Sequence, residues 1–249
     1  MKHVQLFTLS LLILFTKHAQ AQKSPILIAD YTMTQYSSLN KDSMPGAPLE
    51  LVEGFRKFSK ETGGHYQLLY NTETKTYIFK LKDNFFSDMD GANLQFNARS
   101  NLKYSVYFQN KTYIKDDILN SNIIYSSVSP DTMKKYWTIT NEHKRISGLD
   151  CTKAIFRCAG DRAIAWFAND IPIMFSPDLY VGLPGLVVQL EDAERTFVLD
   201  KLQYSDAVKE FQSEYSKAVA EIKKAKPAWI KSAKAIFEQR KKSLKTENL

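Results

Sequence analysis

Cysteine, histidine and glycine are scarce in this 249-residue sequence, and each scarcity excludes a class of protein. Two cysteines cannot supply the disulfide framework on which small secreted scaffolds depend. Two of the four histidines lie within the first 21 residues, which leaves His65 and His143 for any catalytic triad or multi-histidine metal site. Nine glycines and eight prolines form no repeat and no low-complexity tract. The sequence is therefore predicted to be an ordinary globular chain.

Sequence motifs of the common catalytic and nucleotide-binding sites are also missing. There is no G-x-S-x-G, G-x-G-x-x-G, P-loop or H-E-x-x-H pattern. The segment around Gly91 resembles a calcium loop, but Phe86 and Asn97 stand where its first and last carboxylate ligands belong. We therefore predict no catalytic, cofactor-binding or metal-ligating residues and no cofactor. A carboxylate pair for acid–base hydrolysis needs no local spacing and stays open.

The first 21 residues have the order of an export signal. Lys2 and His3 precede an apolar run over residues 4–15, and Ala19-Gln20-Ala21 follows as a small-residue cleavage site. The apolar run is shorter than the roughly 20 residues that a membrane-spanning helix needs. No other segment is long and apolar enough to span a membrane, and no cysteine after the signal indicates a lipid anchor. We expect cleavage after Ala21 and a periplasmic or secreted protein without a transmembrane segment.

Positive charge is concentrated at the two ends of the chain. The formal charge is +7, of which +2 lies in residues 1–21 and +5 in residues 205–249, so residues 22–204 are neutral. In the C-terminal part, apolar residues recur at helical spacing on either side of Pro227. This pattern predicts two helices that form a basic amphipathic tail packed on the body, although such a tail could also bind an anionic surface. Nucleic acid is not an expected partner of an exported chain without a recognised binding module.

Residues 22–204 show the short, alternating apolar segments of a β-rich domain. We predict strands at residues 25–36, 65–70, 76–82, 102–109, 111–118, 137–140, 150–158, 163–167, 185–190 and 196–204. Residues 140–145, including His143, are predicted to be a charged connection between strands. The predicted fold class is mainly β: a large curved antiparallel sheet, a sandwich or a partly closed barrel, with C-terminal α-helices.

Cys151 and Cys158 flank a segment without any turn residue, which predicts one continuous strand. Seven steps along a strand span roughly 23 Å and place the two side chains on opposite faces. A disulfide needs Cα atoms within about 7 Å of each other. We therefore predict two unpaired thiols, with Cys151 the more buried.

The most distinctive segment is the hexapeptide Gly182-Leu183-Pro184-Gly185-Leu186-Val187. Pro184 and Gly185 suit the central positions of a type II turn, the second of which needs a positive φ. Leu186, Val188 and Leu190 would then line one face of the strand that follows. A second interpretation is that the two glycines let a ligand or partner approach the backbone closely.

The hexapeptide closes a series of blocks that begins at Trp137. The blocks include Gly148-Leu149-Asp150-Cys151, Gly160-Asp161-Arg162, Trp166-Phe167 and Asp170-Ile171-Pro172. In this order they resemble the GLPGLI family, exported proteins of Bacteroidota that are often of unassigned function. The resemblance implies a periplasmic or secreted β-rich protein and supplies no catalytic residues. Leu149 replaces the tyrosine usual in the family, and Ser176-Pro177 stands where the family has Gly-Pro, so no role of that loop glycine carries over.

Three functions remain open on these observations. The leading hypothesis is a non-catalytic binding or interaction module of the cell envelope. Its candidate partners are an outer-membrane receptor, a glycan or an apolar ligand. The alternatives are a carboxylate-dependent hydrolase of envelope glycans or peptides, and a periplasmic carrier that holds a lipid or another apolar molecule in a cavity.

Overall fold

The structure, a computed structural model, describes residues 24–35, 48–50, 53, 63–85, 101–118, 122–193, 195–227, 230–232 and 234–238. The chain is mainly β, as predicted. The proposed signal at residues 1–21 and the rejected calcium loop at residues 86–97 lie outside the described residues.

In the described part of the chain, the fold is built of twelve strands and two helices, with a further helical turn at residues 234–238. The strands are β1 Ile26–Gln35, β2 Gly63–Asn71, β3 Thr76–Phe85, β4 Asn101–Phe108, β5 Lys111–Ile118, β6 Asn122–Val128, β7 Trp137–Ile146, β8 Leu149–Cys158, β9 Asp161–Ala168, β10 Leu186–Glu191, β11 Arg195–Ser205 and β12 Ile230–Ser232. The helices are α1 Pro130–Lys134 and α2 Val208–Lys224.

All twelve strands belong to one sheet, in the order β12-β6-β5-β4-β3-β2-β1-β11-β10-β9-β8-β7. Every pairing is antiparallel except that of β12 with β6. The first strand therefore lies in the middle, between β2 and β11, while β7 and β12 form the two edges. The sheet is not closed into a barrel.

The connection between β6 and β7 requires a strongly curved sheet. These strands stand second and twelfth in the strand order, ten intervals apart. At about 4.8 Å per interval, a flat sheet would separate them by nearly 50 Å. The eight connecting residues, 129–136, include α1 and reach at most about 30 Å even when extended. The sheet must therefore bend so that its two ends approach each other.

Ten of the twelve strands contribute buried side chains to the larger apolar cluster, most of which lies on the inner face of this curved sheet. Much of the cluster comes from residues 169–185, which we call the inner loop. Phe175 of this loop lies 5.0 Å from both Tyr77 and Phe79 between ring centroids. Tyr180 lies 5.2 Å from Phe156. The loop thus fills the space between the two halves of the sheet.

The outer face carries a smaller apolar cluster under α2. Phe211, Ala218, Val219 and Ile222 of the helix pack with outer-face residues of β1, β2, β3, β4 and β6. The predicted apolar stripe forms this contact, although Val208, its first member, is exposed. The charged side of the helix faces solvent. Amphipathic spacing was therefore a correct guide to the packing of this helix.

The predicted second helix of the C-terminal part is wrong over residues 230–232. These residues form β12, which pairs in parallel with β6, and only residues 234–238 are helical beyond them. Phe237 then enters the inner cluster, 5.3 Å from the ring of Phe156. Among the described residues of this segment, Ile230, Lys231 and Ser232 therefore pair as a strand, and Phe237 buries its aromatic ring.

Two further predictions need correction. Residues 140–145 are part of β7 and do not form a connection, so His143 is an exposed strand residue whose Nδ1 lies 3.2 Å from the Thr152 hydroxyl. The prediction missed β6 and α1 altogether. The ends of β7 and β8 are joined instead by the tight turn at Ser147 and Gly148, both with positive φ.

Candidate functional site

The glycines of the hexapeptide make room for the protein's own backbone. Gly182 has φ +104°, and a Cβ there would lie 2.6 Å from the Pro130 carbonyl oxygen of α1. At Gly185 a Cβ would lie 2.1 Å from the carbonyl oxygen of Ala168, the last residue of β9. Contacts this short cannot be accommodated without moving backbone. The protein's own backbone therefore makes the close approach to the two glycines that the sequence analysis also allowed for a ligand or partner.

The turn predicted at Pro184 and Gly185 is wrong in detail. Among the glycines of the hexapeptide, only Gly182 has a positive φ. Gly185 is required because there is no space for a side chain at this position. Other residues could adopt its backbone conformation. Both glycines therefore meet a steric requirement, and Gly182 also meets a conformational one.

The strand after the hexapeptide contains a bulge. Leu186 pairs with Ala168 and Leu190 with Ala165, and the register shifts between Val187 and Gln189. Residues 165 and 168 point to opposite faces of β9, so Leu186 and Leu190 also point to opposite faces. The prediction that alternate residues of β10 share one face is therefore wrong. All three apolar side chains are nevertheless buried.

A buried ion pair connects the inner loop to β11. Arg195 Nη2 donates to Asp178 Oδ2 at 2.5 Å, and both side chains are at most 2% exposed. The same nitrogen donates to Asp192 at 3.1 Å. Asp178 has φ +58°, in the left-handed region that Asp tolerates better than most residues. Nothing in local sequence spacing indicated this pair.

The two cysteines are unpaired and buried, as predicted. Cys151 is 2% exposed and Cys158 is 6% exposed. Continuous pairing of β8 with β9 places them on opposite faces. Burial is the main cause that raises the pKa of both thiols, so both are protonated near neutral pH. They serve as small apolar side chains.

The two remaining histidines lie far apart in the sheet. His65 on β2 contacts Asp83 on β3, with 2.5 Å between Nδ1 and Oδ1, and both are exposed. His143 lies on the edge strand β7. Within the described part of the chain, no group of three or more His, Cys, Asp or Glu side chains could hold a metal ion.

A surface of different character lies on the outer face of the β8–β9 hairpin. Three cross-strand pairs follow one another there: Lys153 with Trp166, Ile155 with Ile164, and Arg157 with Arg162. We call these six residues the outer ladder. The arginines are exposed, and the isoleucines and the tryptophan are half-buried. Their neighbours in sequence, including Ala154, Phe156 and Ala165, face the inner cluster.

One end of the outer ladder combines an aromatic ring with ammonium groups. Lys144 Nζ lies 4.2 Å from the centroid of the Trp166 ring and donates to Gln189 Oε1 at 3.1 Å. Lys153 Nζ lies 5.8 Å from the same centroid and forms a 2.8 Å ion pair with Glu142. The Lys144 ammonium is thus held over the tryptophan by a ring contact and a neutral amide.

The other end places two guanidinium groups side by side. Like charges directly opposite each other on paired strands are destabilising. Among the described residues, no carboxylate forms an ion pair with Arg157, Arg162 or Lys144. Arg157 and Arg162 of the hairpin and Lys144 of β7 thus surround a half-buried apolar pair, and none of the three has a carboxylate counter-ion among the described residues. Among the described surfaces, this one best fits a charged binding partner.

The neighbouring edge strand β7 is shaped in a way that discourages strand pairing. Ile139 pairs with Ala154 and His143 with Thr152, so residues 140–142 together oppose Lys153 alone. Such a bulge interrupts the edge, and the charged residues that follow oppose addition of another strand. The outer face of the hairpin is consequently a better docking surface than its edge.

Comparison with known proteins gives one family match. A family model described as "Protein of unknown function (Porph_ging)" matches residues 159–189. The match covers β9, the inner loop and most of β10, and it includes the hexapeptide. No curated protein sequence matches the chain.

Three solved structures show remote similarity to the chain. Two structures of PNGF-II, in the P21 and C2 space groups, are each 14% identical, with TM-scores of 0.44 and 0.45. They match 74% and 86% of this chain, which spans 29% and 32% of those chains, about a third of their length. An uncharacterized conserved protein from Thermus thermophilus is 6% identical with a TM-score of 0.36, over 84% of this chain and 91% of that chain. None of the described helices is long and apolar enough to cross a membrane.

Proposed function

We propose that this chain is an exported, non-catalytic binding or interaction protein of the Bacteroidota cell envelope, and that the outer ladder is its binding surface. The observation that carries the proposal is the mixed surface of the ladder, in which exposed arginines border half-buried isoleucines and a half-buried tryptophan. The inner face is filled by the inner loop and Phe237, and the outer face of β2, β3 and β4 packs against α2. The packing of neither face covers the outer ladder, which offers a mixed cationic and apolar surface to a partner.

Export and family are part of the same proposal. The basic, apolar and small-residue order of residues 1–21 supports a signal removed after Ala21. The match to residues 159–189 supports an uncharacterised family, and the block order around the hexapeptide supports GLPGLI as its name. The mature chain recovered from the periplasm of an expressing cell is expected to begin at Gln22. An intact mass that includes residues 1–21 would contradict the signal.

The hexapeptide has a structural part in this function. Gly185 packs against the end of β9, and Gly182 packs against α1. These contacts fix where the inner loop enters β10, the strand that pairs with β9 and carries Gln189 beside Trp166. In this proposal the hexapeptide positions β10 next to the hairpin and does not itself contact the partner.

Binding to washed envelope fractions tests the proposed surface. Ile164→Lys places a charge in the middle of the outer ladder, and we expect at least about tenfold weaker sedimentation with the envelope, as for a central interface residue. Val208→Lys is the matched control, because Val208 is an exposed apolar residue at the start of α2, away from the ladder. Equal binding by the two variants, with unchanged unfolding midpoints, would contradict the proposal.

The same experiment separates the alternative functions. Release of glycan or peptide fragments from the envelope, in proportion to the protein added, would identify a hydrolase instead. A carrier would need apolar space on the inner face, where Phe175, Tyr180 and Phe237 are already packed. An apolar ligand would have to displace these rings.

A further inference from the structure

We infer that the outer ladder binds an extended acidic peptide segment of a protein partner. This inference rests on the proposed function and names the chemical class of the partner. It follows from three observations: the spacing of the cross-strand pairs, the absence of a carboxylate partner for Arg157 and Arg162 among the described residues, and the position of Lys144 on the Trp166 ring.

The spacing of the ladder matches an extended peptide. Successive pairs on one face of a strand lie about 6.6–6.8 Å apart, because two residues separate them. The side chains on one face of an extended peptide recur at the same interval. A peptide lying along the hairpin can therefore place one acidic residue at Lys144 beside Trp166, an apolar residue at Ile155 and Ile164, and a second acidic residue at Arg157 and Arg162.

Charge complementarity fixes the sign of the partner. Arg157 and Arg162 repel each other in the free protein, and a carboxylate between them would relieve this repulsion while accepting hydrogen bonds from both guanidinium groups. At the other end, the Lys144 ammonium is held in place by Trp166 and Gln189 and lacks a carboxylate partner among the described residues. Two carboxylates four residues apart in the peptide satisfy both ends.

The Trp166 ring distinguishes a peptide from a glycan. Sugar rings bind by stacking on an open aromatic face, whereas one face of Trp166 already carries the Lys144 ammonium at 4.2 Å. The ring therefore positions a cation and does not offer a free platform. This arrangement favours recognition of carboxylate side chains over stacking of a sugar.

Fluorescence anisotropy with synthetic peptides tests the inference on the full mature chain. The probe is a fluorescein-labelled threonine-rich peptide that has two glutamates four residues apart and a valine midway between them. A second peptide has the glutamates three residues apart, which puts them on opposite faces, and a third has glutamine in place of both. We expect the first peptide to bind at least about tenfold more tightly than the other two.

Charge variants locate the site. Arg157→Gln combined with Arg162→Gln is expected to weaken binding of the first peptide at least about tenfold. Lys209→Gln combined with Lys217→Gln removes the same charge from exposed positions of α2 and should change binding less than about twofold, since distant surface charges are screened. Equal losses in the two double variants would overturn the inference, because binding would then reflect net charge alone.

Two other outcomes would overturn it and are distinguishable from failure of the proposed function. Equal binding of all three peptides would show that acidic spacing is not recognised. Binding of a sulfated polysaccharide by the wild type, lost in the arginine variant, without binding of the acidic peptide would replace the peptide by a polyanionic glycan. In either case, envelope binding that still depends on Ile164 would leave the proposed function standing. Envelope binding that is indifferent to Ile164 would end both proposals.

Discussion

Gly182 and Gly185 fulfil different physical requirements within one hexapeptide. Gly182 needs a positive φ and also lies against α1, whereas Gly185 needs only the absence of a side chain next to Ala168. The sequence pattern indicated a tight corner with close backbone approach. It could not indicate which segment makes that approach, because α1 and the end of β9 are brought there by the whole fold.

Gly185→Ala is expected to destabilise the protein by about 3 kcal/mol, because the new Cβ would overlap a backbone carbonyl that cannot rotate away. Gly148→Ala is a suitable control. Gly148 has φ +79°, but a Cβ at this position would have no atom within 4 Å, so the substitution carries only the conformational penalty, about 1 kcal/mol. Urea denaturation of both variants measures the difference. A smaller loss at Gly185 than at Gly148 would contradict the steric role assigned to Gly185.

The Asp178–Arg195 pair should behave as a coupled unit. Removing one partner of a buried ion pair typically costs about 3–5 kcal/mol. Asp178→Asn removes the shorter contact of the guanidinium and leaves its contact with Asp192, so the loss should lie near the lower end of that range. We therefore expect Asp178→Asn to destabilise strongly, while Asp178→Asn combined with Arg195→Met loses less than the sum of the single changes. A double-mutant cycle by urea denaturation measures this coupling. Additive losses would show that the two side chains act independently.

At the scale of elements, local pattern predicted strands well where alternation was regular. The hairpins β2–β3, β4–β5 and β8–β9 all follow from alternating segments around polar turns. Alternation did not reveal β6. In β12 the predicted helical spacing was overridden, because Ile230 and its neighbours pair in parallel with a strand about a hundred residues earlier. Parallel pairing with a strand so distant in sequence leaves no pattern in the local sequence. The helical spacing of apolar residues therefore predicted the wrong structure for residues 230–232.

The packing of α2 should depend weakly on pH through Glu221. Burial opposes ionisation of this carboxyl group, but hydrogen bonds from Tyr104 at 2.6 Å and Lys115 at 2.9 Å outweigh it, so the pKa of Glu221 is lowered. Because the pKa of Glu221 is lower in the folded state than in the unfolded state, its ionisation stabilises the fold at pH values above the unfolded-state pKa, near 4.3. This stabilisation disappears as the pH falls through the folded-state pKa. Because Glu221 is about half exposed, we expect its ionisation to contribute less than about 1 kcal/mol to the free energy of unfolding.

Glu221→Gln should therefore lower the urea midpoint slightly at pH 7 and leave it unchanged in strongly acidic solution, where the wild-type carboxyl group is protonated as well. Glu238→Gln is the comparison, since Glu238 contacts Lys234 only at 3.9 Å on the surface. A difference between Glu221→Gln and the wild type that is the same at every pH would show that charge is not involved.

At the scale of the whole molecule, the sheet is curved enough for eight residues to join two strands ten intervals apart. A curved, mainly β architecture could be predicted from the sequence because alternation, aromatic content and strand spacing are properties of segments. Burial of the inner loop could not, since Phe175 and Tyr180 lie in a segment without regular structure. Its burial depends on the concave space that the curved sheet creates.

Phe237 tests whether the C-terminal segment belongs to the same cooperative unit as the sheet. Its ring is fully buried against Phe156 and Tyr180, so Phe237→Ala is expected to cost about 3–5 kcal/mol. Phe211→Ala removes an equally buried ring from the outer cluster and provides the matched comparison. Both variants should shift one unfolding transition, seen alike by tryptophan fluorescence and by far-ultraviolet circular dichroism. If Phe237→Ala left that transition in place, residues 230–238 would be a separable appendage and the inner cluster would be complete without them.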